Sequence, residues 1–140
     1  MALTATKVDV WSTEIPDVPG GLAPKLASLA SAGVNLDFLL ARRQPDKPGT
    51  GVAYLAGVKG SAAMKAARAS GFEKSTAMAA VRVEGPNQAG ACHRLLSKIA
   101  EAGISLRGIS ASAIGKKFVA YVALDSDADA KQAIRRLNAK

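Results

Sequence analysis

The chain offers a single histidine and a single cysteine, His93 and Cys92, and they are neighbours in sequence. Adjacent residues on a helix project in different directions, so the pair cannot serve as nucleophile and base. Cys92 reads instead as a small core residue and His93 as an exposed helical one. The same shortage of ligands excludes a His/Cys zinc site. Asp125, Asp127 and Asp129 come nearest to a metal motif, but they lack the glycine and closing glutamate of a calcium loop. They precede a predicted helix, where carboxylates favour the positive end of the macrodipole, and Asp127 reads as its cap. Gly20-Gly21 lacks the spacing of a dinucleotide fingerprint. Neither catalytic residues nor a cofactor or metal site are expected.

Binding chemistry is better supported. Pro16-Asp17-Val18-Pro19-Gly20-Gly21-Leu22 and Pro86-Asn87-Gln88-Ala89-Gly90-Ala91 each join a predicted strand to a predicted helix. Small residues in such a bend let backbone N–H groups approach a ligand, and the unpaired N–H groups of a helix N-terminus attract anions such as a carboxylate. Asp17 can meet an ammonium group, and Asn35 or Asn87 can supply an amide that both donates and accepts. The competing reading is that proline and glycine merely make a tight turn. One loop alone favours that reading, and the second loop shifts the balance only modestly.

The elements that must position these loops are written twice. A 70-residue offset pairs Glu14 with Glu84, Pro16 with Pro86, Gly20 with Gly90, Leu26 with Leu96, Gly33 with Gly103 and Leu36 with Leu106. After the offset falls to 67, Val52-Ala53-Tyr54 faces Val119-Ala120-Tyr121. The missing residues fall in a turn, where length varies harmlessly. Two homologous units are therefore expected, residues 1–75 and 76–140.

Within each copy the periods predict a first strand over 7–13 or 78–84, then the loop, then a helix with apolar residues at Leu22, Leu26 and Leu29 or Cys92, Leu96 and Ile99. Alternation from Val34 to Leu40 predicts the next strand, less cleanly kept after Ile104 and Leu106. A hairpin partner over 52–56 or 118–124 follows, and a second helix over 61–70 or 127–138. A short last strand at 72–76 has no equivalent at the end of the second copy, which leaves a sheet edge that a second chain is expected to cover. Each unit reads β-α-β-β-α(β): an α+β, ferredoxin-like plan with an antiparallel sheet and helices on one face.

Composition agrees with a folded chain. The 140 residues are 49% hydrophobic and 4% aromatic, so alanine, leucine and valine must fill the core. The formal charge of +8 is spread along both halves and reads as a solvated surface. One cysteine fits a reducing compartment. With neither a leader pattern at the start nor a long apolar run, a soluble cytoplasmic protein and no membrane association are expected.

The strand ending in an acid, the D-x-P-G-x-L loop, the A-x-x-G-V/I-N/S-L helix exit and the V-A-Y hairpin resemble the ACT family of small-molecule-binding regulatory modules. The carriers are Asp17 to Ala23 and Leu29 to Leu36, with Asn87 to Ala91 and Ile99 to Leu106 in the second copy. The resemblance implies units that pair side by side and bind an amino acid effector near the first loop and the start of the second strand. Carried over, it implies ligand contacts at Asp17, Val18, Gly20, Gly21, Leu22 and Asn35, and at Asn87, Gln88, Gly90, Ala91 and Ser105. Ser105 departs from the amide at Asn35. A non-enzymatic sensor, a homodimer and a regulated protein partner follow as expectations. The rival is RNA binding on an RRM-like sheet, suggested by the basic charge and by Phe118-Val119-Ala120-Tyr121. Lys116-Lys117 stands where that motif has its glycine-aromatic run, and the rival ranks behind.

Overall fold

In the computed structural model, which describes residues 2–139, the chain folds as two compact α+β units. One spans Asp9–Ser75. The other combines the residues up to Val8 with those from Thr76 onward.

The Asp9–Ser75 unit contains β2 (Trp11–Pro16), α1 (Ala23–Ser31), β3 (Phe38–Arg43), β4 (Thr50–Ala56), α2 (Ser61–Ala69) and β5 (Glu73–Lys74), following β1 (Thr4–Val8) of the other unit. Its antiparallel sheet runs β3-β4-β2-β5. Alternation on β4 sends Ala53 and Leu55 inward, where they join Trp11, Leu29, Ala67 and Phe72 in the core. Trp11 is covered by this core on one side and by the Arg68 guanidinium, 5.3 Å from its ring centroid, on another.

The other unit contains β1, β6 (Ala79–Pro86), α3 (Ala91–Glu101), β7 (Gly108–Ile114), β8 (Lys117–Leu124) and α4 (Asp127–Asn138), with sheet order β1-β6-β8-β7. Read from the other edge this is the same arrangement, with β1 where the first sheet has β5. Val81, Val83, Ala120, Val122 and Leu124 meet Leu95, Ile99, Ala130, Ala133 and Leu137 in its core. The inward stripe of α4 recurs at Ala130, Ala133 and Leu137, which is the helical period.

The repeat persists at the level of register. Glu14 pairs with Val52 as Glu84 pairs with Val119, Ser12 with Tyr54 as Arg82 with Tyr121, and Leu40 with Tyr54 as Ser110 with Tyr121.

Several expectations change. The stretch 7–13 divides into the end of β1 and the start of β2, because Asp9 and Val10 break the strand and each half joins a different sheet. The missing strand of the second copy is supplied by β1, held in register from Thr4↔Glu84 to Val8↔Ala80, so that edge of β6 is filled from within the chain. Residues 34–37 approach their strand as irregular chain, and β3 begins only at Phe38. In the second copy, where the alternation weakens after Leu106, the strand likewise starts late, with β7 opening at Gly108. Helix α4 is capped by Ser126, whose hydroxyl accepts the Asp129 N–H at 3.1 Å, and Asp127 is its first residue. Cys92 is exposed on α3 and does not enter the core, where the buried positions are Ala91, Leu95 and Ile99.

Candidate functional site: two loop pockets of one design

Each unit carries an open pocket between its first strand-to-helix loop and its edge strand. The loops are anchored by the same bonds. The Asp17 N–H donates to the Gly49 carbonyl at 3.0 Å, and the Asn87 N–H to the Lys116 carbonyl at 2.8 Å. Gly21 N–H donates to Val18 O at 3.0 Å, and Ala91 N–H to Gln88 O at 3.1 Å. Gly20 and Gly90 take φ values of +76° and +81°, the left-handed region that glycine enters at little cost. Gly21 has a different reason to be glycine: a Cβ there would lie 2.2 Å from the Pro16 carbonyl oxygen.

In the Asp9–Ser75 unit the pocket has a volume of about 360 Å³ and brings Asp17, Val18, Gly20, Gly21 and Leu22 beside Arg42 and Arg43 of β3. Asp17 forms an ion pair with Arg43, Oδ2 to Nε at 2.9 Å. The pocket wall thus holds one carboxylate and two guanidinium groups, opposite charges suited to the two ends of a zwitterion. Helix α1 contributes few donors, because Pro24 occupies its first turn and has no N–H. Glu14, nearby on β2, accepts from Lys47 Nζ at 2.8 Å, and that hydrogen bond holds its carboxyl below the ordinary carboxylate value.

In the other unit the pocket measures about 290 Å³ and gathers Asn87, Gln88, Gly90 and Ala91 with Cys92, His93 and Ser112. It has no carboxylate in its wall. Helix α3 starts at Ala91 without a side-chain cap and without an acidic residue in its first turn. With the Ala91 N–H given to Gln88, the Asn87, Gln88, His93 and Ser112 side chains and the N–H groups of the first turn beyond Ala91 are the polar groups at hand for a ligand. Asn87 Nδ2 also donates to the Gly115 carbonyl at 3.3 Å. Both volumes fall near the lower end of the roughly 300–1,000 Å³ typical of small-molecule sites.

Asn35 and Ser105 are not brought to these pockets. Asn35 lines a separate cavity with Gly57, Lys59 and Ser61, at the start of α2, and Ser105 precedes β7 on the exit from α3. Both stand on the irregular approach to an edge strand, where the alternation pattern placed a strand. Sequence reasoning passed over Arg42, Arg43 and Ser112. The 70-residue offset equates Arg42 with Ser112, and the strand register carries both to the loop end of their sheets. Phe118 is buried against Leu3 and Gly85, and the Tyr121 hydroxyl accepts from Arg82 at 2.9 Å, so neither ring offers an open stacking face of the RRM kind.

Among the described residues, no cluster of three metal-ligating side chains occurs, and no helix is long and apolar enough to cross a membrane.

The architecture is a ferredoxin-like α+β plan of two antiparallel four-stranded sheets and four helices, and solved structures share it across nearly the whole chain. Protein BT0572 from Bacteroides thetaiotaomicron superposes with a TM-score of 0.73 at 18% identity, covering 94% of this chain and 88% of that one. The regulatory subunit of aspartate kinase from Thermus flavus gives 0.66 at 19%, covering 98% and 95%. Aspartokinase III of E. coli, solved in complex with aspartate and ADP, gives 0.59 at 18%, covering 97% of this chain and 32% of the enzyme. At these identities the likeness is one of fold. No family model and no curated protein matches the chain.

Proposed function

We propose that this protein is a non-catalytic sensor that binds an amino acid in its loop pockets and acts through ligand-dependent association. The observation that carries the reading is the repetition of one loop design in both units: the same anchoring bonds, the same left-handed glycine and a wall from the equivalent edge strand. The fold it shares with aspartate kinase regulatory subunits supports the same reading. The pocket beside Asp17 and Arg43 suits both charged ends of an α-amino acid, whereas the pocket at α3 suits chiefly a carboxylate. A ligand that binds one association state more tightly shifts the population toward it, and a regulated partner that prefers that state tightens ligand binding in return.

Isothermal calorimetry with a panel of amino acids, followed by sedimentation with the best binder, tests this. Saturable heat with a change in sedimentation coefficient is the expected outcome. Saturable heat without that change would retain the binding and remove the association.

A further inference from the structure

We propose that the exposed face of the α3–α4 layer is a docking surface for an acidic segment of a partner protein. The inference is independent of the amino-acid reading. Helices α3 and α4 pack side by side, tied by Gln132 Nε2 to the Ala102 carbonyl at 3.4 Å and by Arg136 to Glu101 at 3.3 Å. Their inward stripes leave Lys131, Gln132, Arg135 and Arg136 exposed on α4, with Lys98 half-buried beside them on α3.

From Ala130 to Asn138, α4 carries three cations and no acid. The only acid facing these cations from α3 is Glu101, already engaged by Arg136. Among the described residues Lys131 and Arg135 have no ion pair, although they stand one helical turn apart, where like charges repel. Surface helices ordinarily relieve such a pair with an acid four residues away; here that acid, Asp127, is engaged by Lys7, and the residue four before Arg135 is Lys131 itself. Here an external acid would do so, and cations spaced by a turn match carboxylates spaced by a turn on an acidic helix.

The same features argue against other polyanions. Neither helix carries a phenylalanine, tyrosine or tryptophan for base stacking, and four cations fall short of the roughly 6–10 phosphate contacts of a strong nucleic-acid binder. None of the exposed large apolar residues lies on α3 or α4, so the face has no anchor for a membrane.

The probe is a fluorescein-labelled alanine/glutamate helical peptide with glutamates four residues apart, titrated with the full chain at low salt in the absence of amino acids. K131E/R135E is compared with K116E/K117E, which changes net charge equally but at the β7–β8 turn. The expected result is binding that weakens with salt and falls about tenfold in K131E/R135E while moving less than about twofold in K116E/K117E. Equal losses in both variants would reduce the effect to net charge and overturn the proposal. So would an absence of peptide binding, or tighter binding of an oligonucleotide of matched charge through the same two cations.

Discussion

Asn138, on the last turn of α4, holds Ala5 of β1 by both its peptide groups: the Ala5 N–H donates to Oδ1 at 2.8 Å and Nδ2 donates to the Ala5 carbonyl at 3.0 Å. One side-chain amide thus satisfies a donor and an acceptor on the outer edge of a sheet, where unpaired groups invite further strands. Together with the buried Leu3 and Ala5 it fastens a strand contributed from the opposite end of the sequence.

Removing that amide should therefore cost more than an average surface substitution. Asn138→Ala is expected to destabilise the unit by about 1–3 kcal/mol in urea denaturation, since it leaves two part-buried backbone groups unpaired. Amide exchange at Ala5 should accelerate in the same variant, and unchanged exchange would show that Asn138 is not what secures β1.

The two loop glycines of the first pocket should respond differently to alanine. At Gly20 nothing lies within 4 Å of an added Cβ, so Gly20→Ala pays only for its positive φ, about 1–2 kcal/mol. At Gly21 the Pro16 carbonyl blocks the Cβ outright, so Gly21→Ala must displace the loop and should lower the melting temperature further. Equal melting temperatures for the two variants would contradict this.

Much of this was legible in the sequence, because the repeat carried independent information twice. The period-3.6 stripe placed α4 at 127–138, and the paired offsets of 70 and 67 anticipated the matching registers. Less legible was anything decided by partners far along the chain. No local pattern tells residues 4–8 to join β6, since a strand's propensity does not name its neighbour. Likewise the apolar alternation from Val34 to Leu36 reflects packing of an irregular approach against the core, and the strand starts later, at Phe38. The strand accordingly runs on through Arg42 and Arg43, whose charged wall lies beyond the stretch that the alternation marks.

The Glu14–Lys47 pair sets a modest dependence on acid. Its hydrogen bond lowers the Glu14 pKa in the folded state, so the stabilisation is complete above the ordinary carboxylate value of 4.5 and disappears as pH falls through the lowered folded value. Both groups are exposed, so the effect is small. Lys47→Met should flatten the acid limb of a stability-versus-pH curve slightly relative to the wild type and leave it unchanged near neutrality.

Asp17→Asn separates the two pockets. It removes the carboxylate that pairs with Arg43 and that would receive a ligand's ammonium, while leaving the pocket at α3 intact. The expected calorimetric signature is a loss of about tenfold or more in affinity at one class of site, with the other class unchanged. Identical isotherms for variant and wild type would place the ligand elsewhere.

The most direct measurement is a melting series of the full chain against the twenty amino acids, each titrated to saturation. Binding to the folded state predicts a rise in melting temperature that grows with ligand concentration for one amino acid or a small chemical group of them, and shrinks in Asp17→Asn. Flat melting temperatures across all twenty would contradict amino-acid sensing by these pockets.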